Sequence, residues 1–325
     1  MDTRQRFLNT MRGQQADRAP LFNEGIREDV LLQWQRKGYL ADQNLERMFT
    51  YDKREEISLE LPTGIDLSSL VKKRNGLEIF RDYLNSKVES SMPSGWLKNI
   101  ASWQKREHVL MLMVHWGFFQ TLGVEDWDTF YDCIYLIADH PEFTIEAMNL
   151  YGQFAAQLTE YFLEKVRIDA VIFSEPIGGH HGSLISPKTY QEIGLASYYP
   201  ILDVLKKYDV DILIWRTYAN TRVLLPIVID VGINCLWSCE CNPTAMDYLE
   251  IRKEFGEEIG LIAGVDLDIL HESNKTIKKE LARILPTLLD RGRYAPLADG
   301  RVRSDIPFEK YVFYRNLLES YVMGK

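Results

Sequence analysis

Polar residues recur in this chain at one kind of place, just past a short apolar run, where a strand would give way to a loop. They are Asn23-Glu24, His115-Trp116-Gly117, Ser174-Glu175-Pro176, Arg216-Thr217-Tyr218, Ser238-Cys239-Glu240, Asp266 and Asp299. In a parallel α/β barrel the strand ends gather on one face and supply the binding and catalytic groups. Glu175, Glu240 and Asp299, with Arg216 and Tyr218, are the candidates for acid–base and charge-stabilising work. Glu24, His115, Asp266 and the pair His180-His181 are candidates for substrate contact. Each acid also has a plainer role as a cap or turn residue. Arg216 closes the apolar run Asp211-Ile-Leu-Ile-Trp215. A guanidinium cannot discharge and needs an anion when buried. The expected partner is Glu175 or Glu240, or the carboxylate or phosphate of an acidic substrate.

His180-His181 follows two glycines. It is either a mobile surface loop or a lid carrying a group that titrates near neutrality. Cys239 and Cys241 are spaced i, i+2, so in a strand they share one face and Glu240 takes the other. If Glu240 faces the strand-end cleft, both cysteines face away from it. A divalent ion held by Glu175, Glu240 and a histidine is compatible with the donor types. Trp116, Phe118, Phe119, Trp215, Tyr218 and Trp237 could line a pocket for a flat ligand, or simply pack the core.

The 325 residues carry a formal net charge of -9, which argues against a nucleic-acid partner. Four cysteines, three of them within residues 235–241, make no disulfide framework. The polar start and the lack of a long apolar run predict a cytoplasmic protein without a membrane span.

From residue 108 onward, short apolar runs alternate with helical patterns, as in βαβ units. Strands are expected at 109–114, 169–173, 211–215, 233–239, 260–265 and 293–297, preceded by one at 18–22. Residues 40–105, with scattered Pro and Gly, predict an irregular insertion of hairpins or loops hiding one more strand. Helices are expected at 128–139, 141–166, 187–208 (interrupted at Pro200), 220–230, 243–255, 274–291 and 307–323. Asn220, Asn242 and Asn274 read as N-caps, and Gly232, Gly256 and Gly292 as helix ends. The sum is eight parallel strands in a single-domain TIM (β/α)8 barrel spanning 1–325.

Several ordered segments resemble the uroporphyrinogen decarboxylase-like superfamily. They are Arg6-Phe-Leu-Asn-Thr-Met-Arg12-Gly with Asp17-Arg18-Ala-Pro20, and Gly182-Ser-Leu-Ile-Ser186-Pro187-Lys-Thr-Tyr190 after Ser174-Glu175-Pro176. Further along come Ala219-Asn220-Thr-Arg-Val-Leu-Leu-Pro226, Ala263-Gly264-Val265-Asp266 and Pro307-Phe308-Glu309-Lys-Tyr311. The resemblance implies either a cofactor-free decarboxylase of porphyrinogen acetates or a zinc methyltransferase that moves a methyl group from a corrinoid protein to a thiol such as coenzyme M. The chain departs from both. The decarboxylases' arginine segment stands here as Asn23-Glu24-Gly25-Ile26-Arg27, and the methyltransferases' His-x-Cys stands as Arg216-Thr217-Tyr218. Arginine and tyrosine do not rebuild a thiolate zinc site. The expectation is a corrinoid-linked methyltransferase-like enzyme acting on a small or anionic molecule. The corrinoid would come on a partner protein, and the metal is left open. Uroporphyrinogen decarboxylation and an inactive ligand-binding barrel are the alternatives.

Overall fold

The computed structural model describes residues 1–39, 45–241, 243–303 and 305–324. Seven strands are assigned among them: β1 Arg54–Ser58, β2 Val109–His115, β3 Ala170–Glu175, β4 Leu213–Ala219, β5 Cys235–Cys241, β6 Gly260–Ala263 and β7 Tyr294–Ala295. Helices separate successive strands from β1 to β7, and one more closes the chain. This is the alternation expected of parallel α/β architecture. The contacts group into two compact units, one of Met1–Arg54, Glu107–Val109 and Asn234–Lys325, the other of Glu55–Arg106 and Leu110–Ile233.

In the second unit β2, β3 and β4 pair in parallel, from Met111↔Ala170 and Val171↔Leu213 up to Glu175↔Thr217. The apolar runs of β2 and β3 are buried nearly throughout, as strands covered on both faces must be. Leu59, just past β1, donates its amide to Met113 O. The 23-residue helix Pro141–Leu163 starts with proline at its first position, where a missing N–H costs nothing. The expected helix 187–208 is three pieces: Pro187–Glu192, the 3-10 turn Gly194–Ser197, and Tyr199–Lys207. Pro200 is not the break. It sits in the first turn of the last piece, where proline is tolerated, and the interruption lies upstream.

In the first unit β5 pairs with β6 from Cys235↔Gly260 to Ser238↔Ala263, and β6 pairs with β7 at Leu261↔Tyr294 and Ile262↔Ala295. The strand expected at 18–22 is not formed. Leu21 donates its amide to the Asp52 carboxylate and accepts from the Asp52 amide, so both of its backbone groups are taken. Arg6 and Arg18 clasp the same carboxylate. Only the isolated bridge Ile26↔Val302 remains of an eighth strand, so the described residues hold seven strands rather than eight.

The region expected to be hairpins instead holds three helices, Leu67–Leu70, Gly76–Asn85 and Trp96–Gln104. Phe80, Leu84, Trp96 and Trp103 recur at helical spacing and are buried. Gly76 and Gly95 flank helix starts rather than hairpin turns. Residues 40–44 and the expected cap Asn242 lie outside the described residues. The helix expected from 243 begins at Tyr248, capped by Asp247, and that from 274 is capped by Ser273. Gly256 and Gly292 end these two helices with φ of 72° and 70°, which glycine adopts cheaply. Among the described residues no helix is long and apolar enough to cross a membrane.

Candidate functional site

Strand alternation sorts the candidates of the second unit onto two faces. Phe173, Glu175 and Trp215 point toward the helices: Phe173 stacks on Tyr198 at 4.7 Å, and the Trp215 indole donates to the Tyr198 hydroxyl. The Glu175 carboxyl accepts from the Phe118 amide (2.7 Å), the Tyr198 hydroxyl (2.9 Å) and the Tyr190 hydroxyl (3.1 Å). Burial pushes its pKa up to about 7, against the pull of those three donors. Gly117 makes this possible, since a Cβ there would lie 2.7 Å from Pro176 Cδ. His115 lies in the same layer. It bonds Ser197 Oγ through Nε2 and accepts from the Gly117 amide at Nδ1. Burial drops its pKa to about 3, so the ring is neutral. Tyr190 and Tyr198 went unnoticed in the sequence as site residues, although Tyr190 ends one of the segments that carry the resemblance.

The opposite face carries Arg216, whose acid partner is not Glu175. Arg216 Nη1 pairs with Glu56 Oε2 of β1 at 2.6 Å, and Nη2 reaches the Met113 sulfur at 3.2 Å. The two side chains are 16% and 30% exposed, so a ligand can reach the pair. Tyr218, two residues on, shares this face by alternation. Two residues past Glu56, Ser58 Oγ accepts from the Trp116 indole at 3.1 Å. Glu56 and Ser58 were missed because residues 40–105 showed no clear period. The signal was the alternation within Arg54-Glu-Glu-Ile-Ser58, where Glu55 turns the other way, to the Trp103 indole.

His180 and His181 cap a tied hairpin rather than a loose loop. Bridges join Gly178 to Ser183 and Gly179 to Asn220, and the two rings lie 4.7 Å apart, exposed. Gly178 is needed there, because a Cβ would fall 2.1 Å from Tyr218 O.

In the first unit Asp299 binds the strand-end loops together. It accepts from the Cys241 amide, the Leu267 amide and the Cys241 thiol at 2.9, 2.9 and 3.2 Å. Burial raises the pKa of both Asp299 and Cys241, and Asp299 raises the thiol further. Asp266 caps the turn Leu267–His271 through the Asp268 amide, and burial raises its carboxyl too. Glu240 has φ 41°, which breaks the strand alternation assumed for the cysteines, and it is exposed. Glu24 is fully buried in an ion pair with Arg315 (3.0 Å) and takes the hydroxyls of Tyr311 and Tyr314. Its carboxylate is thereby spent on the last helix. Among the described residues no group of three or more His, Cys, Asp or Glu is arranged to hold a metal ion.

No family model matches the chain, and no curated protein matches its sequence. Solved structures do. A methyltransferase from Methanosarcina mazei aligns over 99% of both chains with a TM-score of 0.62 and 13% identity. A D-psicose 3-epimerase aligns over 85% of this chain and 90% of its own with a TM-score of 0.37 and 11% identity. The first likeness extends over essentially the whole length, and at that identity what it shows is a shared α/β fold.

Proposed function

We propose that this chain is a methyl-transferring enzyme of the uroporphyrinogen decarboxylase superfamily that holds a small acidic substrate at Arg216. The observation that carries the reading is the fold likeness to a methyltransferase over 99% of both chains. The Arg216–Glu56 pair adds the substrate class. An acidic group that displaces Glu56 meets a guanidinium already positioned by Met113 and able to bind it in bidentate fashion. Tyr218, Trp116 and Ser58 supply an aromatic wall and hydroxyl partners on the same face.

The donor set does not fit the zinc of the known thiol methyltransferases. Arg216 and Tyr218 stand where those enzymes carry their histidine and cysteine, and neither supplies an imidazole or thiolate to a zinc ion. The methyl donor in this reading is a methylated corrinoid brought by a partner protein. Such a donor would supply a methyl cation equivalent, its cobalt keeping the bonding pair as Co(I), and the thiolate of the bound acid would accept it after its proton has passed to solvent.

The test is to mix the pure protein with methylcobalamin and a panel of small acidic thiols and follow loss of the methyl–cobalt absorption. Acceptor-dependent demethylation is expected. Arg216→Ala should weaken acceptor binding by about a hundredfold, and Arg216→Lys should recover only part, as an ammonium lacks the fork. Conversion of uroporphyrinogen to coproporphyrinogen by the same preparation would overturn the reading.

A further inference from the structure

The first unit also carries a groove of about 560 Å³ at the N-terminal ends of β6 and β7, walled by Thr10, Arg12, Gly13 and Arg293 among others. Two polar atoms in that wall are buried and have no hydrogen-bond partner among the described residues, Thr10 Oγ1 and Arg293 Nε. Thr10 is only 7% exposed. Buried donors of this kind are normally satisfied, and an orphan points to a missing partner. Two orphans in one groove point to the same one.

The backbone at Arg293 is strained. Its φ is 51°, a left-handed conformation that a residue with a Cβ seldom adopts. The side chain lies against Gly13, where a Cβ would meet Arg293 Cδ at 3.5 Å. Its charge faces another cation. Arg252 is buried and gives its guanidinium hydrogens to the carbonyls of Gly256, Ile259 and Gly292. The proximity of Arg293, together with burial, lowers the pKa of Arg252. Other charges of the groove are already engaged: Arg18 pairs with Asp52, and Arg291 with Glu257 at 3.6 Å. Glu258 and Asp290 stand on the rim, exposed, where solvent screens them.

We propose that this groove is an anion site that takes the phosphoryl group of a small phosphate ester between Thr10 and Arg293. A phosphoryl group has enough acceptor oxygens for a hydroxyl and a guanidinium edge together, and the groove volume leaves room for the rest of a small metabolite. The site sits at the opposite strand ends from Asp266 and Asp299. The N-terminal face of a parallel strand array serves stability rather than catalysis, so the ligand here is a stabiliser or effector and not the substrate.

The experiment is a thermal-unfolding titration of the full chain with inorganic phosphate, against sodium chloride of matched ionic strength, with the ³¹P line width read in parallel. A saturable rise in Tm and a broadened line are expected with phosphate and not with chloride. Arg293→Gln should weaken the apparent affinity about tenfold, as loss of a charge-assisted hydrogen bond does. Thr10→Val, which keeps the shape and removes only the hydroxyl, should weaken it by a smaller factor and decides the matter if Arg293→Gln does not fold. No saturable phosphate effect beyond chloride, or an affinity unchanged in Thr10→Val and in any folded Arg293→Gln, overturns the proposal.

Discussion

Glu175 shows how a strand-end acid can be legible while its surroundings are not. The apolar run and the Ser174-Glu175-Pro176 motif marked it, but which way it pointed depended on helices whose break at residue 193 no local signal announced. It points into the helical layer, where burial pushes its pKa up to about 7, against about 4.3 in an unfolded chain. The folded state therefore binds the proton more tightly. The stability that this contributes is complete below about pH 4.3 and is lost as pH rises through about 7. The difference amounts to about 4 kcal/mol. Glu175→Gln should flatten this slope, seen as urea midpoints that converge between pH 5 and pH 8; a wild-type slope retained in the variant would place the titration elsewhere. Arg216 was equally legible as a cation in need of an anion. Its partner Glu56 was not, because it comes from a strand inside a segment with no dominant period.

Two helix C-termini were readable in the sequence, and helix starts less so. Gly256 and Gly292 announce where two helices stop, and the structure adds a single guanidinium that serves both. Arg252 donates to Gly256 O at 2.8 Å, Ile259 O at 2.7 Å and Gly292 O at 3.0 Å. The Gly256 and Gly292 carbonyls would otherwise be left over where their helices end, and the Ile259 carbonyl just before β6. No carboxylate shares in these bonds, so composition and charge pattern gave no hint of the arrangement. Arg252→Met keeps the stem but strands the carbonyls, and should cost about 3 kcal/mol of unfolding free energy by chemical denaturation. A cost below about 1 kcal/mol would mean that water takes over the role. The strand foreseen at 18–22 failed for the converse reason: Asp52, far along the chain, claims the amide of Leu21.

At the scale of the whole molecule, the parallel α/β class was legible from the alternation of strands and helices after residue 108, and the fold likeness agrees with it. The count of eight was not, because the first strand shrinks to one bridge. Composition says only that the surface is acidic. What holds the first unit together is long-range in sequence: Glu24 meets Arg315 with both side chains fully buried, and Arg315 also donates to Phe22 O and Thr50 O. Breaking such a pair leaves a buried charge alone. Glu24→Gln should therefore lose about 3–4 kcal/mol, read as a lower denaturant midpoint at unchanged m-value, and a loss under 1 kcal/mol would contradict the burial seen. The same contact sets an order of events during synthesis. Residues 1–54 emerge first, yet their buried acid waits for a cation almost three hundred residues later, through the whole of the second unit. The Glu24 carboxylate cannot meet its cation until the final helix has been made, so a chain truncated before residue 315 should be cleaved by a protease faster than the full chain under the same conditions.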